Sequence, residues 1–387
     1  FNLVTSDGGT TWYGYEEVDY STVGSNYNIF TWGANDHGTL GLNSVVSYSS
    51  PVQLTGSTWT DGTSGGAEHR NGTSFFRKSD GTAWIWGDNN NGCLGLNSRT
   101  DYSSPVQLGT ETTWGYLHAG GYQTGASKTD GTLWTWGLGS MGNNYNVGPG
   151  RRSSPTQIPG TNWSSDSYQC SFSYGGAAAV KTDGTLWVWG RNDYGQLARN
   201  NTTNGPGVSS PIQVGSGTDW SRIMAAHLHR MALKTDGTLW GWGANAQGRI
   251  GDNSTVYRSS PTQIPGTWSS FSSSSYQGFG IKSNGTLWSW GYNNKGQLGL
   301  NDTTQRSSPV QIPGTNWKQV YSGLLNSSYN HTSAVKTDGT LWSWGYNKYG
   351  ALGQNNVTYY SSPVQIPGTD WDKVTCGPEI NFGFKSA

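Results

Sequence analysis

The chain has 387 residues, and its 23 acidic and 23 basic side chains cancel to a formal net charge of zero. Charged residues make up 12% of the sequence, about half the share of an average soluble domain. The chain therefore has no long-range attraction for phosphate, and a dedicated nucleic-acid-binding role is disfavoured. No run of about 18 apolar residues is present, so membrane insertion is not predicted.

The first 24 residues lie outside the pattern that fills the rest of the chain. We interpret residues 1–24 as a linker, an extra edge strand or the junction to a further domain, and residues 25–387 as one repeat domain. Because the sequence begins with Phe1 rather than Met and shows no signal peptide, we expect processing or a cut from a longer polypeptide.

One pattern then recurs seven times, with a period of roughly 50 residues. Its best copy, residues 336–371, contains Asp-Gly-Thr-Leu-Trp-Ser-Trp-Gly and, further on, Ser-Ser-Pro-Val-Gln. The tryptophan of the Trp-Gly step recurs at Trp32, Trp86, Trp136, Trp189, Trp242, Trp290 and Trp344.

Each copy predicts four short strands. The first follows the tryptophan after Pro-Gly-Thr, the second precedes Asp-Gly, the third is Thr-Leu-Trp-x-Trp-Gly, and the fourth begins at the proline of Ser-Ser-Pro. Asp338-Gly339 and its counterparts predict a two-residue hairpin turn with positive φ at both positions. The paired tryptophans of the third strand share one face, and their recurrence indicates packing between sheets rather than carbohydrate stacking.

The two ends of the chain complement each other. Residues 381–387 match a second strand, and residues 27–33 match a third strand, so together they complete one sheet. A stacked solenoid is the alternative, but it needs atypical capping repeats. We therefore predict an all-β fold, a seven-bladed β-propeller of four-stranded antiparallel blades whose ring is closed by a composite blade from both termini.

Residues 284–299, Asn-Gly-Thr-Leu-Trp-Ser-Trp-Gly-Tyr-Asn-Asn-Lys-Gly-Gln-Leu-Gly, resemble the regulator-of-chromosome-condensation repeat family. The resemblance covers nearly the whole chain and implies a seven-bladed propeller. Members of this family include an exchange factor for a small GTPase, a secreted β-lactamase inhibitor, and bacterial and phage surface proteins. The family often has His at the start of the second strand, but only His229 and His331 conform here. This departure argues against an exchange-factor role, and the even, Asn-, Ser-, Thr- and Gly-rich repeats are more similar to the surface members.

The segment between the first and second strands varies between copies and collects His, Tyr and Arg, residue types suited to recognition. We predict that a protein or glycan partner binds this face. The candidate residues are His69, Arg70, His118, Tyr122, Tyr168, Tyr174, His227, His229, Arg230, Tyr276, Tyr329 and His331. Variable loops without a function are the alternative.

A second variable segment precedes Ser-Ser-Pro and is expected nearer the rim. It carries Tyr48, Tyr102, Arg151, Arg152, Tyr257, Arg258, Arg306, Tyr359 and Tyr360.

Signatures of catalysis and of cofactor binding are missing from the sequence. It has no Gly-rich phosphate loop, no Gly-x-Ser-x-Gly elbow and no His-Glu-x-x-His, so no enzyme activity and no cofactor are predicted. A zinc site formed by the histidines of the first variable segment is disfavoured because their spacings differ and no carboxylate or Cys accompanies each one. The three cysteines fall at different points of the repeat, which indicates free thiols.

The favoured function is a non-catalytic binding or display domain on an extracellular or virion surface, such as a phage fibre, a capsid decoration or an adhesin. Low balanced charge and abundant Asn, Ser, Thr and Gly motivate it. A protein inhibitor of an enzyme and a guanine-nucleotide exchange factor for a small GTPase are the alternatives.

Overall fold

A computed structural model describes residues 26–56, 58–68, 71–120, 122–139, 142, 151–173, 175–323 and 330–387. These residues form 28 β-strands. No helix in this part of the chain is long and apolar enough to cross a membrane.

The strands form seven four-stranded blades, which we number from the composite blade. Their strands, from first to fourth, are as follows: blade 1, β27 (Trp371–Gly377), β28 (Ile380–Ser386), β1 (Tyr27–Gly33) and β2 (Tyr48–Gln53); blade 2, β3 (Trp59–Glu68), β4 (Asn71–Lys78), β5 (Ala83–Gly87) and β6 (Tyr102–Gln107); blade 3, β7 (Trp114–Ala119), β8 (Gln123–Lys128), β9 (Leu133–Leu138) and β10 (Arg151–Ile158); blade 4, β11 (Cys170–Ser173), β12 (Gly176–Val180), β13 (Leu186–Asn192) and β14 (Thr203–Gln213); blade 5, β15 (Trp220–Ala225), β16 (His229–Lys234), β17 (Thr238–Gly243) and β18 (Arg258–Thr267); blade 6, β19 (Ser270–Ser273), β20 (Gln277–Ile281), β21 (Leu287–Gly291) and β22 (Arg306–Gln311); blade 7, β23 (Trp317–Ser322), β24 (His331–Lys336), β25 (Leu341–Gly345) and β26 (Tyr360–Ile366).

Both termini build blade 1, as the sequence predicted. Strand β1 pairs antiparallel with β28 from Tyr27 opposite Ser386 to Gly33 opposite Ile380, and we call this pairing within blade 1 the seam. The first strands of all seven blades contact their neighbours in a closed circle, which includes the contact of β27 with β3. The seven-bladed ring is thus confirmed, and its innermost strands line a central channel.

The Asp-Gly turns differ from the prediction in one respect. Gly81 has a φ of 81°, but Asp80 does not have a positive φ. The Gly81 N–H donates to the Lys78 carbonyl at 3.0 Å, and the Lys78 N–H donates to the Thr82 carbonyl at 3.0 Å. The connection is therefore a three-residue loop in which only glycine needs the left-handed region. The Asp80 carboxylate supports it by accepting the Thr82 N–H at 2.9 Å and the Thr82 hydroxyl at 2.6 Å.

The core lies between the blades, where the repeated tryptophans pack. The second tryptophan of each third strand is fully buried. At the seam, Trp32 Nε1 donates to the Ala351 carbonyl of blade 7 at 2.9 Å. In blade 2, Trp86 Nε1 donates in the same way to the Thr39 carbonyl of blade 1 at 2.8 Å. These tryptophans join each blade to its predecessor, which confirms the packing role inferred from their spacing.

Candidate functional site

The ring has two unlike faces. Because each blade is antiparallel, the first-to-second and third-to-fourth connections emerge on one face, and the Asp-Gly turns emerge on the other. We call these the loop face and the turn face. Both variable segments of the sequence therefore lie on the loop face, the first near the axis and the second towards the rim.

The structure does not bring the predicted recognition residues together as one exposed patch. His118, His229, Arg230 and His331 lie within strands and are at most 2% exposed. Tyr122, His227 and Tyr276 lie in connections and are half-buried. His69, Arg70, Tyr174 and Tyr329 lie outside the described residues. Burial follows from position, because the side chains of His229, Arg230 and His331 at the start of a second strand, and that of His118 near the end of a first strand, point towards the adjacent blade.

The buried histidines link neighbouring blades in a neutral state. His229 Nε2 is 2.9 Å from the Ser273 hydroxyl of blade 6, and His118 Nδ1 accepts the Phe172 N–H of blade 4 at 3.3 Å. Burial lowers the pKa of His118 to about 4 and that of His331 to about 4. A neutral imidazole avoids the cost of a buried charge, so these contacts support the ring.

Arg230 is a charged exception in this buried layer. Its Nη1 donates to the Ala226 carbonyl at 2.8 Å and to the His229 carbonyl at 3.0 Å. Burial lowers its pKa to about 10, so the guanidinium keeps its charge at neutral pH. Its partners among the described residues are carbonyls, so Arg230 fixes the connection between β15 and β16 and, being fully buried, presents no surface to a ligand.

Tyr168 occupies the channel instead of the loop face. Seven positions separate Trp163 from Cys170 in blade 4, against three from Trp220 to Ile223 in blade 5, so blade 4 has a four-residue insertion. Tyr168 lies in it with a φ of 65°, a strained value for a bulky side chain. Gln319 Nε2 of blade 7 donates to its hydroxyl at 3.2 Å. Blade 4 thus reaches across the axis to blade 7.

Two cavities of the channel flank Tyr168. One is lined by residues of blades 1, 2, 3 and 7, and the other by residues of blades 5, 6 and 7. Tyr168 contributes to both linings. The insertion was visible in the sequence as a longer spacing, but its direction was not.

The exposed apolar surface lies at the rim of the loop face. In the described part of the chain, six large hydrophobic side chains are exposed, and all belong to third-to-fourth connections. We call these residues the rim tips: Val45, Val46, Val256, Tyr257, Val357 and Tyr359. Val357 is 59% exposed, and Tyr257 is 47% exposed. Tyr257 and Tyr359 belong to the second variable segment, whereas the valines were not among the predicted residues.

A buried asparagine holds each of these connections in place. Asn347 Nδ2 donates to the Thr358 carbonyl at 2.9 Å, and Asn347 Oδ1 accepts the Leu352 N–H at 2.8 Å. Asn35 braces the blade 1 connection in the same way. The signal in the sequence was the asparagine two residues after Trp-Gly. Its consequence is that the rim tips stand on pre-organised loops, which lowers the entropy cost of binding.

The turn face carries a repeated cation between two aromatic rings. Lys336 Nζ lies 4.7 Å from the ring centroids of both Trp317 and Trp342. Every blade has a lysine in this place: Lys78, Lys128, Lys181, Lys234, Lys282, Lys336 and Lys385. Sequence reasoning missed this role, although a lysine precedes most Asp-Gly turns. Because its cation–π partners recur in all copies, the arrangement is structural.

One cluster on the loop face has the composition of a metal site. The Nδ1 atom of His37 lies 2.8 Å from Asp101 Oδ2 and 4.0 Å from Asp88 Oδ1. Ligand atoms of the three residues all lie within 4.8 Å of one another. His37 is the histidine that does not belong to the first variable segment, which is why the sequence argument did not consider it.

Comparison with known proteins agrees with this architecture. The model of the regulator of chromosome condensation (RCC1) repeat matches residues 28–69, 80–126, 183–233, 236–276, 284–334 and 338–382. The chain belongs to the RCC1 repeat family.

Two relatives from Arabidopsis thaliana are similar over part of their length. The ultraviolet-B receptor UVR8 of Arabidopsis thaliana is 28% identical over 204 residues, which cover 51% of this chain and 46% of UVR8. The mitochondrial RCC1 domain-containing protein RUG3 of Arabidopsis thaliana is 26% identical over 285 residues, 65% of this chain and 62% of RUG3. The chain thus spans less than two thirds of each relative.

Two solved structures share the fold over almost the whole chain. Yeast RCC1 (Prp20), in its complex with Kap60, superposes with a TM-score of 0.79 at 18% identity, over 100% of this chain and 96% of that one. Human WBSCR16 superposes with a TM-score of 0.78 at 17% identity, over 93% and 99%.

Proposed function

We propose that this RCC1-repeat propeller is a non-catalytic recognition module whose rim tips bind a protein or glycan partner. The observation that carries the proposal is the grouping of the exposed large hydrophobic side chains on one face. Contiguous exposed apolar patches mark interaction surfaces, whereas single exposed apolar side chains are ordinary. Blades 7 and 1 are neighbours in the ring, so Val357, Tyr359, Val45 and Val46 offer the larger part of that surface.

Two features of the rim tips suit a partner with both apolar and polar groups. The tyrosines combine ring area with a hydroxyl, as anchors of interfaces do. Arg258 lies beside Tyr257 with its charge paired to Asp252 at 2.6 Å, and this pairing leaves the tip close to neutral. A weakly charged partner fits this surface better than a strongly acidic or basic one.

Among relatives of the same fold, a structure of yeast RCC1 (Prp20) includes bound Kap60, and Prp20p of Saccharomyces cerevisiae was studied for binding to Gsp1p and histones. These cases support protein binding as the general use of the fold. The proposal of a partner for this chain is based on the exposed surface of the chain itself, because at this similarity the likeness extends to the fold alone.

The proposed setting is an extracellular or virion surface, as part of a phage fibre, a capsid decoration or an adhesin. Low balanced charge and the richness in Asn, Ser, Thr and Gly support it. Immunogold labelling of producing cells and of released particles tests the setting. Label on the particles or the outer surface is expected, and label confined to the cell interior would contradict it.

Site-specific photo-crosslinking tests the binding face. A benzoylphenylalanine replaces Tyr359 in one variant and Thr337 in another. Both positions are exposed in blade 7, but Thr337 lies on the turn face. With intact virions and with surface extracts of producing and host cells as probes, a discrete crosslinked product is expected from position 359 and none from position 337. Equal products from both positions, or no product from position 359, would refute the loop face as the binding surface.

A further inference from the structure

The cluster of His37, Asp88 and Asp101 lies between blades 1 and 2. His37 belongs to the third-to-fourth connection of blade 1, whereas Asp88 and Asp101 begin and end the same connection in blade 2. A single imidazole and two carboxylates from adjacent loops thus meet, with His37 Nδ1 2.8 Å from Asp101 Oδ2.

The other repeats show which residues occupy the positions that correspond to His37, Asp88 and Asp101. The connections of blades 1 and 2 have equal length, so His37 corresponds to Asn91, Asp88 to Ala34, and Asp101 to Ser47. The pair of positions that His37 and Asp101 occupy also meets between other blades. Between blades 4 and 5 these positions are occupied by Tyr194 and Tyr257, whose ring centroids lie 5.4 Å apart. Between blades 6 and 7 they are occupied by Lys295 and Tyr359, with Lys295 Nζ 5.9 Å from the ring centroid of Tyr359. The contact between loops is general, whereas the set of three ligand-type side chains is particular to blades 1 and 2.

The cluster also carries uncompensated negative charge. Among the described residues, neither Asp88 nor Asp101 forms an ion pair with Lys or Arg, and His37 is the basic group facing both. The Asp88 side chain is 9% exposed. Its Oδ1 accepts the Asn90 N–H and side-chain amide, whereas no described donor lies at Oδ2. A largely buried carboxylate with a free oxygen beside a second carboxylate favours a cation between them.

We propose that His37, Asp88 and Asp101 bind a divalent transition-metal ion of the zinc type. His37 Nδ1 and one oxygen from each carboxylate supply three ligands, and water completes the coordination. An imidazole ligand favours zinc over calcium or magnesium, which prefer oxygen alone. Binding displaces the proton that Nδ1 shares with Asp101. The ion ties the loop of the composite blade to that of blade 2, independently of any partner at the rim tips.

The test uses variants that restore the residue of the neighbouring repeat. H37N, D101S and D88A each place at the site a side chain that the matching loop already accommodates, so folding is expected to persist. D302N is the matched control, since Asp302 lies in the corresponding connection of blade 6 with its carboxylate paired to Arg306. Zinc binding is measured by titration calorimetry on the full chain, and Co²⁺ absorption spectra report the ligand set.

Wild type and D302N are expected to bind one Zn²⁺ per chain with equal affinity. H37N, D88A and D101S are each expected to weaken binding by about tenfold or more, because each removes a proposed ligand, and to alter the Co²⁺ spectrum. Circular dichroism checks that each variant is folded. Absence of Zn²⁺ binding by the wild type, or unchanged binding by folded H37N and D101S, would overturn the proposal.

Discussion

Replacing Trp32 with alanine tests whether the two termini close the ring in solution. Trp32 is fully buried at the seam, and its indole lies 6.1 Å from that of Trp371, between ring centroids. Its Nε1 donates to the Ala351 carbonyl at 2.9 Å. The substitution removes both interactions from a place where no covalent connection holds the strands together.

The expected cost follows from these contacts. Truncating a buried tryptophan costs about 3–5 kcal/mol, and the lost hydrogen bond adds about 1 kcal/mol. The free energy of unfolding should therefore fall by about 4–6 kcal/mol. For a chain of 387 residues, this corresponds to a decrease in Tm of about 5–7 °C.

Trp86→Ala is the matched control because Trp86 has the same burial and the same kind of hydrogen bond within a covalently continuous blade. Urea unfolding followed by tryptophan fluorescence measures both variants. Equal losses are expected if blade 1 is formed like the others. A loss below about 1 kcal/mol for Trp32→Ala beside about 4 kcal/mol for Trp86→Ala would show that the seam is open.

Three further outcomes follow from buried groups. Tyr168→Ala should lower the free energy of unfolding by about 2–4 kcal/mol through lost packing, whereas Tyr168→Phe should change it by under about 1 kcal/mol; equal losses in urea unfolding would contradict the packing of the Tyr168 ring across the channel. The folded pKa of His331, about 4, lies below its unfolded value. Its contribution to the free energy of unfolding is therefore fully present above about pH 6.5 and falls by about 1.4 kcal/mol per pH unit down to about pH 4. In His331→Asn the slope of unfolding free energy against pH should be smaller, and an unchanged slope would exclude His331 as a source. A thiol reagent at pH 8 should label the cysteines only after unfolding, because burial raises all three thiol pKa values; rapid labelling of the folded protein would contradict the burial of Cys93, Cys170 and Cys376.

The fold could be predicted because its determinants are repeated. The spacing of the Trp-Gly tryptophans defined the period, and the matching ends of the chain defined the closure. Local geometry was less predictable. The Asp-Gly signal identified the hairpins correctly, yet it did not distinguish a two-residue turn from the three-residue loop that places only Gly81 at positive φ.

The candidate site was less predictable because side-chain type does not reveal direction. His229 and His331 were expected on a surface, but the start of a second strand points them between blades, where they are buried and neutral. Tyr168 was grouped with the same loops, although its insertion turns it into the channel. Conversely, Val357 carries no chemical signal in the sequence, and only its exposure marks it as a surface for a partner.

Comparison of the seven copies separates structural roles from candidate functional ones. A residue present in nearly every blade, such as the buried tryptophan, the bracing asparagine or the lysine between two rings, satisfies a need that every blade has. A residue confined to one blade cannot serve that need. If such a residue also carries a cost in stability, through backbone strain or unpaired charge, that cost requires another explanation. The strained Tyr168 and the unbalanced carboxylates at His37 both meet this criterion. Since neighbouring copies supply a folded alternative for each position in the His37 cluster, reverting it isolates the metal hypothesis from stability more cleanly than alanine substitution would.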